Sequence, residues 1–298
     1  GLGDVYKRQT LPSSLIGILF ISTALSVNAI KDGVAKLLGT YYPPLMLVSV
    51  HLEFTSILLI PIIWKKYGPA MLVPKQFGMQ FLRSALFVLG ISLFYWSLNF
   101  IPLADTTSMV FVAPIVVTAL SPILLGEQLG LHRSLAVFAG FIGVFIILRP
   151  DFGGDRIGYV IGLGAGTSLG LFYMANRKLA GVQPQLVAVT YTAIFGTLLL
   201  LPAIPFIWQE PHISDAPLLV SFILLAIIGQ FFLISAFAYT PASTLAPFQY
   251  TQLIAATIVG VLVFETFPDA LTWLGICLLV SAGPVSYTHL TLPTILLV

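Results

Sequence analysis

Ile101-Pro102-Leu103-Ala104-Asp105-Thr106-Thr107-Ser108, continued by Ala113-Pro114, Gly126-Glu127 and Ala139-Gly140-Phe141-Ile142-Gly143, is the stretch whose reading decides the fold. A weaker echo follows: Thr240-Pro241-Ala242-Ser243, Gln252-Leu253, Phe264-Glu265 and Leu274-Gly275. Pro102 and Glu127 are 25 positions apart, and Pro241 and Glu265 are 24, so one single-residue gap aligns both anchors. Each copy is an apolar segment that starts at a proline, ends at an acidic residue and leads into a second apolar segment. A repeat of this size has to be recognised before a fold is assigned. In a membrane chain it points to two related halves.

The rest of the chain is membrane-like. Of 298 residues, 58% are hydrophobic and only 8% charged, with mean hydropathy +1.02. Soluble domains carry about 25% charged residues, so the solvent for most of this chain is lipid. The net charge of +2 says nothing for nucleic acid, and the single cysteine, Cys277, excludes an internal disulfide and a cysteine metal cage. The outermost residues, 1–9 and 285–298, resemble translated adapter sequence and are set aside from the fold.

A spanning helix needs about 20 mostly apolar residues. Ten candidates meet or approach this: 12–35, 44–64, 80–100, 103–124, 133–149, 157–177, 185–207, 216–238, 243–263 and 270–284. The fold class is therefore an all-α membrane protein of ten transmembrane helices. Residues 10–150 and 151–284 form its two five-helix repeats. With the N-terminus in the cytoplasm, seven Lys and Arg (65, 66, 75, 83, 133, 177, 178) lie inside and four (31, 36, 149, 156) outside. This bias sets the orientation and places both termini in the cytoplasm. Five helices per half is odd, so the second half must be inverted, the geometry of alternating access.

Polar side chains within the spans mark where lipid is absent. Ser92, Trp96 and Asn99 share one face of the third span. Thr107, Phe111, Pro114, Thr118 and Ser121 share one of the fourth, and Gln249, Gln252, Ala256 and Gly260 one of the ninth. The expected solute-binding set is Asn28, Trp96, Asn99, Thr107, Phe111, Tyr173, Asn176, Gln230, Phe248, Gln249, Tyr250 and Gln252. Its aromatics would enclose an organic solute and its amides would hydrogen-bond it. Gly158, Gly162, Gly166 and Gly170 recur every four residues and predict close helix packing. His51 and Glu53 lie deeper in the second span, about 200° apart around the helix, and are the candidates for carrying a coupling proton. Glu53 has the alternative of pairing with Lys31 or Lys36. Glu127 and Glu265, at the ends of the repeated spans, are expected to cap the following helices or to gate.

The doubled motifs resemble the drug/metabolite transporter superfamily, in its ten-helix EamA-type branch. The likeness is carried by Ile101–Ser108, Ala113-Pro114, Leu125-Gly-Glu127, Ala139-Gly-Phe-Ile-Gly143 and Ile147-Leu-Arg-Pro150. In the second half it is carried by Tyr239-Thr-Pro-Ala-Ser-Thr-Leu-Ala-Pro-Phe248 and Val263-Phe-Glu265. It implies a central cavity from helices 1, 3, 4, 6, 8 and 9, with helices 5 and 10 peripheral. Members often carry Arg early in helix 2, where this chain has His51. The expected protein is a bacterial inner-membrane secondary transporter for a small polar or amphipathic metabolite, not an enzyme. It would need no cofactor and no metal, and its partners would be the solute and the lipid bilayer. Proton coupling and a homodimer stay open. The other classes weighed are an intramembrane enzyme, for which no catalytic set is present, and a non-transporting subunit or sensor, which leaves inverted halves unexplained.

Overall fold

The computed structural model of the chain describes residues 13–278 except 40, 98, 102, 129, 149–154, 266 and 268. The expectations for 1–9 and 285–298 lie outside the described residues. The regular structure there is helical: α1 Ser13–Leu38, α2 Pro44–Tyr67, α3 Phe77–Ser97, α4 Leu103–Val110, α5 Ala113–Leu125 and α6 Leu131–Leu148. α7 Arg156–Lys178, α8 Gln185–Leu200, α9 Ile204–Ile207, α10 Ala216–Tyr239, α11 Ala242–Leu245 and α12 Thr251–Phe264 follow. Residues 270–278 are also helical. Among the described residues, seven stretches are long and apolar enough to cross a membrane. The chain is a multi-pass membrane protein.

Local chemistry sets the helix ends. The Asp155 side chain accepts the Ile157 N–H at 3.0 Å and caps α7. Gly126 and Glu265 close α5 and α12 with left-handed backbone, φ +66° and +54°, and their N–H groups return to the Ser121 and Gly260 carbonyls.

The fourth expected span is not one helix. Pro114 has no N–H and its ring crowds the carbonyl four residues back, so α4 stops at Val110 and α5 restarts at Ala113. The ninth breaks in the same way at Ala246-Pro247, where a tight 3₁₀ turn, Ala246–Tyr250, separates α11 from α12. Broken backbone at membrane depth survives only where protein covers the freed polar groups or where they line a water-filled cavity. The glycine stripe of α7 supplies that cover. A Cβ on Gly166 would lie 2.5 Å from the Met109 carbonyl oxygen and 3.0 Å from that of Val110. On Gly158, Gly162 and Gly170 it would meet Phe100, Met109 and Val116 at 2.7, 3.0 and 3.0 Å. The second break is covered by α6: the Tyr250 ring lies against Gly140 and its hydroxyl donates to the Val137 carbonyl at 2.9 Å. Phe111 in the first break stacks on Tyr250 in the second, centroids 5.9 Å apart.

α1 runs along α10 and α3 along α7; α1 also packs on α12, α7 on α4 and α5, and α2 on α8. The largest apolar cluster joins Ile21 and Leu25, Phe172, Phe237 and Leu245. Arg83, expected among the cations of the inner face, is instead fully buried in α3, where its Nη2 donates to the Ala188 carbonyl at 2.6 Å.

At the bundle end opposite Ser13, the Tyr42 hydroxyl donates to Asp215 Oδ2 at 2.7 Å and accepts the His212 N–H at 2.9 Å. The donated bond holds the phenol above its ordinary pKa. A raised folded-state pKa stabilises below the unfolded value and loses that contribution as pH rises through the folded one. Tyr42→Phe should therefore lower stability at pH 7. A melting curve in detergent should show the gap between variant and wild type closing above about pH 10.

Candidate substrate site and its closure

One carboxylate closes the Ser13 end of the bundle. Glu127 follows α5, and its side chain is 10% exposed. Its Oε1 accepts from Arg177 Nε at 3.1 Å and from the Ala242 N–H at 3.0 Å, and its Oε2 accepts from the Ser243 N–H at 3.0 Å. Arg177 Nη1 also donates to the Phe237 carbonyl at 3.2 Å. One residue of the first half thus holds the ends of α7 and α10 and the start of α11. Beside it, Thr240 Oγ1 donates to the Ser13 carbonyl at 3.0 Å, with Gly17 packed against the same side chain. Glu127 meets the start of α11 rather than that of the helix that follows it.

Toward the other end, polar groups are accessible. Asp32 of α1 has a side chain 52% exposed, although it lies within a spanning helix. Its Oδ2 accepts from Gln252 Nε2 at 3.0 Å, and its Oδ1 pairs with Lys31 Nζ at 3.3 Å. Gln252 belongs to α12, so α1 and α12 meet at this carboxylate.

Buried amides without partners are the second feature. Asn176 is 2% exposed and Gln249 4%, and neither amide forms a hydrogen bond at O or N. An orphaned buried polar group costs roughly 1–3 kcal/mol, so such groups point to an occupant or to motion. Gln230 Nε2, Thr55 Oγ1 and His51 Nδ1 are likewise unpartnered and line one small cavity with Phe87 and Thr192. That cavity has room for about one water molecule. The His51 ring stands edge-on to Phe222, centroids 5.9 Å apart.

The other expected residues fall elsewhere. Trp96 is exposed, and the Asn99 amide donates to the Trp96 carbonyl at 3.0 Å. That stripe of α3 lies opposite its buried face, which carries Gln80, Arg83, Ser84, Val88, Gly90 and Ser97. Asn28 sits in the α1–α10 contact against Gly229. Thr107 is half-buried in α4, and Phe248 packs partly buried on the main apolar cluster. Phe111 and Tyr250 contact each other, and Tyr250 is 1% exposed. Tyr173 stacks on Phe237 at 5.5 Å. Lys31 pairs with Asp32, and Lys36 sits over the Phe264 ring at 4.2 Å, so neither forms the expected pair with Glu53. Glu265 is exposed at the end of α12. Among the described residues no group of three His, Cys, Asp or Glu could hold a metal ion. Asp32 was not among the expected site residues. An acidic residue near the end of a span reads as interfacial until a neighbouring helix is seen across from it.

A model of the EamA-like transporter family matches residues 15–149 and, again, residues 156–283. The chain belongs to the EamA-like transporter family. It is similar to an S-adenosylmethionine uptake transporter of Rickettsia prowazekii, 27% identical over 284 residues, covering 92% of this chain and 93% of the relative. It is also similar to a riboflavin transporter of Vibrio cholerae, 27% identical over 274 residues, covering 89% and 91%. One solved crystal structure shares the fold with TM-score 0.76 at 18% identity, covering 93% of this chain and 96% of that one. This EamA-like chain is a metabolite transporter and not an enzyme.

Proposed function

We propose that the chain is a secondary transporter of a bacterial inner membrane that carries a small polar or amphipathic metabolite by alternating access. The observation that carries this reading is the Glu127 latch, which ties the two halves together at one end of the bundle. Inversion of the halves is supported by the helix pairings. Exchanging each spanning helix with its counterpart five spans on turns the α1–α10 contact into α7–α3, and the α1–α12 contact into α7 with α4 and α5. The broken spans at Ala113-Pro114 and Ala246-Pro247 are counterparts too. Discontinuous helices at a repeat interface are a recurring way to build a solute site. The Lys and Arg bias puts the Ser13 end in the cytoplasm, so this conformation is closed inward.

The counterpart of Glu127 is Glu265, and that of Arg177 is Lys36. Here Lys36 rests on Phe264 and Glu265 is exposed. In the opposite state the two pair and close the outer end. Lys36→Gln should therefore favour the outward-open form and slow transport severalfold, which counterflow in proteoliposomes would read. An unchanged rate would remove Lys36 from the gate. Of the two proton-carrying candidates, His51 lines the small buried cavity and Glu53 does not. Proton coupling then predicts that His51→Gln abolishes stimulation by a pH gradient while Glu53→Gln keeps it.

The relatives are named for S-adenosylmethionine and riboflavin, both of which contain heterocycles. The test is a thermal-shift screen of purified protein against amino acids, vitamins, nucleosides and cofactor-like compounds, followed by counterflow of each hit. Binding raises stability by about 2.7 kcal/mol at a hundredfold excess over Kd. Saturable uptake of a hit supports the reading, and folded protein that transports none of the panel overturns it.

A further inference from the structure

A hydroxyl within a helix can satisfy itself by donating to the carbonyl four residues back. Several on the helices around the small cavity do so. Ser49 and Ser56 of α2 donate to the Leu45 and Leu52 carbonyls at 3.0 and 2.9 Å. Thr190 and Thr192 of α8 donate to those of Leu186 and Ala188 at 2.9 and 3.1 Å, and Ser235 of α10 to that of Phe231 at 2.7 Å. Thr55 of α2 does not: it is 3% exposed, and its Oγ1 forms no hydrogen bond within the protein. Gln230 Nε2 of α10 and His51 Nδ1 of α2 are in the same position, and all three side chains line the one cavity. The other lining side chains are apolar, apart from Thr192, whose proton goes to the Ala188 carbonyl.

Size and chemistry together select the occupant. The cavity has room for about one water molecule, too little for an organic solute. No Asp, Glu, Lys or Arg lines it, so an ion would have no opposite carboxylate or cation there. An amide N–H only donates, a hydroxyl donates or accepts, and a neutral imidazole nitrogen does one or the other. Water matches that set. It accepts from Gln230 Nε2 and uses its protons or its second lone pair on Thr55 and His51. About three hydrogen bonds is the usual number for a buried water.

We infer that the cavity among α2, α8 and α10 is a binding site for one water molecule, held by Thr55, His51 and Gln230. Thr55 and His51 belong to the first half and Gln230 to the second, so the water joins the halves through α2 and α10. The site is independent of which solute is carried. The test takes full-length protein in nanodiscs as hydrated films and records infrared spectra in H₂O and H₂¹⁸O. Wild type should show an isotope-sensitive O–H stretch that Thr55→Val combined with Gln230→Met removes. Thr55→Ser, which keeps a hydroxyl, should retain it. Identical isotope difference spectra for wild type and the double variant would overturn the site. Thermal midpoints put the same question by sign. In a dry cavity Thr55→Val, which keeps the shape and deletes an orphaned hydroxyl, raises the midpoint. With water bound, Thr55→Val and Gln230→Met each remove a hydrogen bond to it, and each midpoint falls. The double variant should then fall by less than the sum of the two, because the same water is lost only once. Midpoints that stay level or rise in both single variants would exclude the water.

Discussion

Glu127→Gln should abolish most counterflow while leaving the protein folded. The carboxylate holds one guanidinium and two helix N–H groups, and hydrogen bonds to charged groups contribute about 1.5–3 kcal/mol each. The glutamine amide keeps one acceptor oxygen but turns an NH₂ toward donors, so part of the set goes unpaired. A loss of about 2–3 kcal/mol from the closed state, at about 1.4 kcal/mol per tenfold, shifts the equilibrium by roughly 30- to 140-fold. A carrier whose two states must be close in free energy cannot absorb that. Turnover should fall at least tenfold. Ala236, fully buried beside the latch, should become reactive as Ala236→Cys in a Cys277→Ser background.

A charge swap discriminates further. If Glu127 and Arg177 were only an ion pair, Glu127→Arg with Arg177→Glu would restore function. The Ala242 and Ser243 N–H groups need an acceptor at position 127, and an arginine has none. The double variant should thus remain as inactive as Glu127→Gln. Arg177→Gln, which leaves Glu127 with both helix N–H donors, should lose less. Wild-type counterflow in Glu127→Gln, with position 236 still protected, would sink the latch.

Much of this was legible in the sequence because lipid is an undemanding environment to read. Apolar runs long enough to span gave most of the helices, and a four-residue glycine period gave the packed face of α7. The misses share a cause. A polar stripe says that a face is different but not what it faces, so Trp96 and Asn99 read like cavity residues and lie exposed. Arg83 read as interfacial because position alone was available, and the carbonyl that receives it lies 105 residues away. Pro114 and Pro247 were visible, but a proline near a helix start and one that splits a span look alike until the flanking turns are placed. The same distance problem hid Asp32, whose partner Gln252 is 220 residues on.

Gly166→Ala should cost more stability than any other alanine substitution in α7, although alanine favours helix by about 1 kcal/mol over glycine. The added methyl would meet the Met109 carbonyl oxygen at 2.5 Å and Val110 Cα at 3.1 Å. Both are backbone, held by the break at Pro114, and cannot turn aside as a side chain tip can. Relief requires α7 to move off α4 and α5, opening the cover over the freed carbonyls. Overpacking of this kind costs typically 1–3 kcal/mol, and unsatisfied carbonyls add about as much, so a net loss of about 2–4 kcal/mol is expected. Gly166→Leu should fail to give monodisperse protein. Gly164 is the control on the same helix: its Cβ would meet only Leu93 Cδ1, at 3.3 Å. There the propensity gain is opposed by one movable methyl, and Gly164→Ala should be neutral or slightly stabilising. Thermal midpoints of the two variants, taken side by side in detergent, check the pair. Equal midpoints would mean that the break in the fourth span does not depend on the close approach of α7.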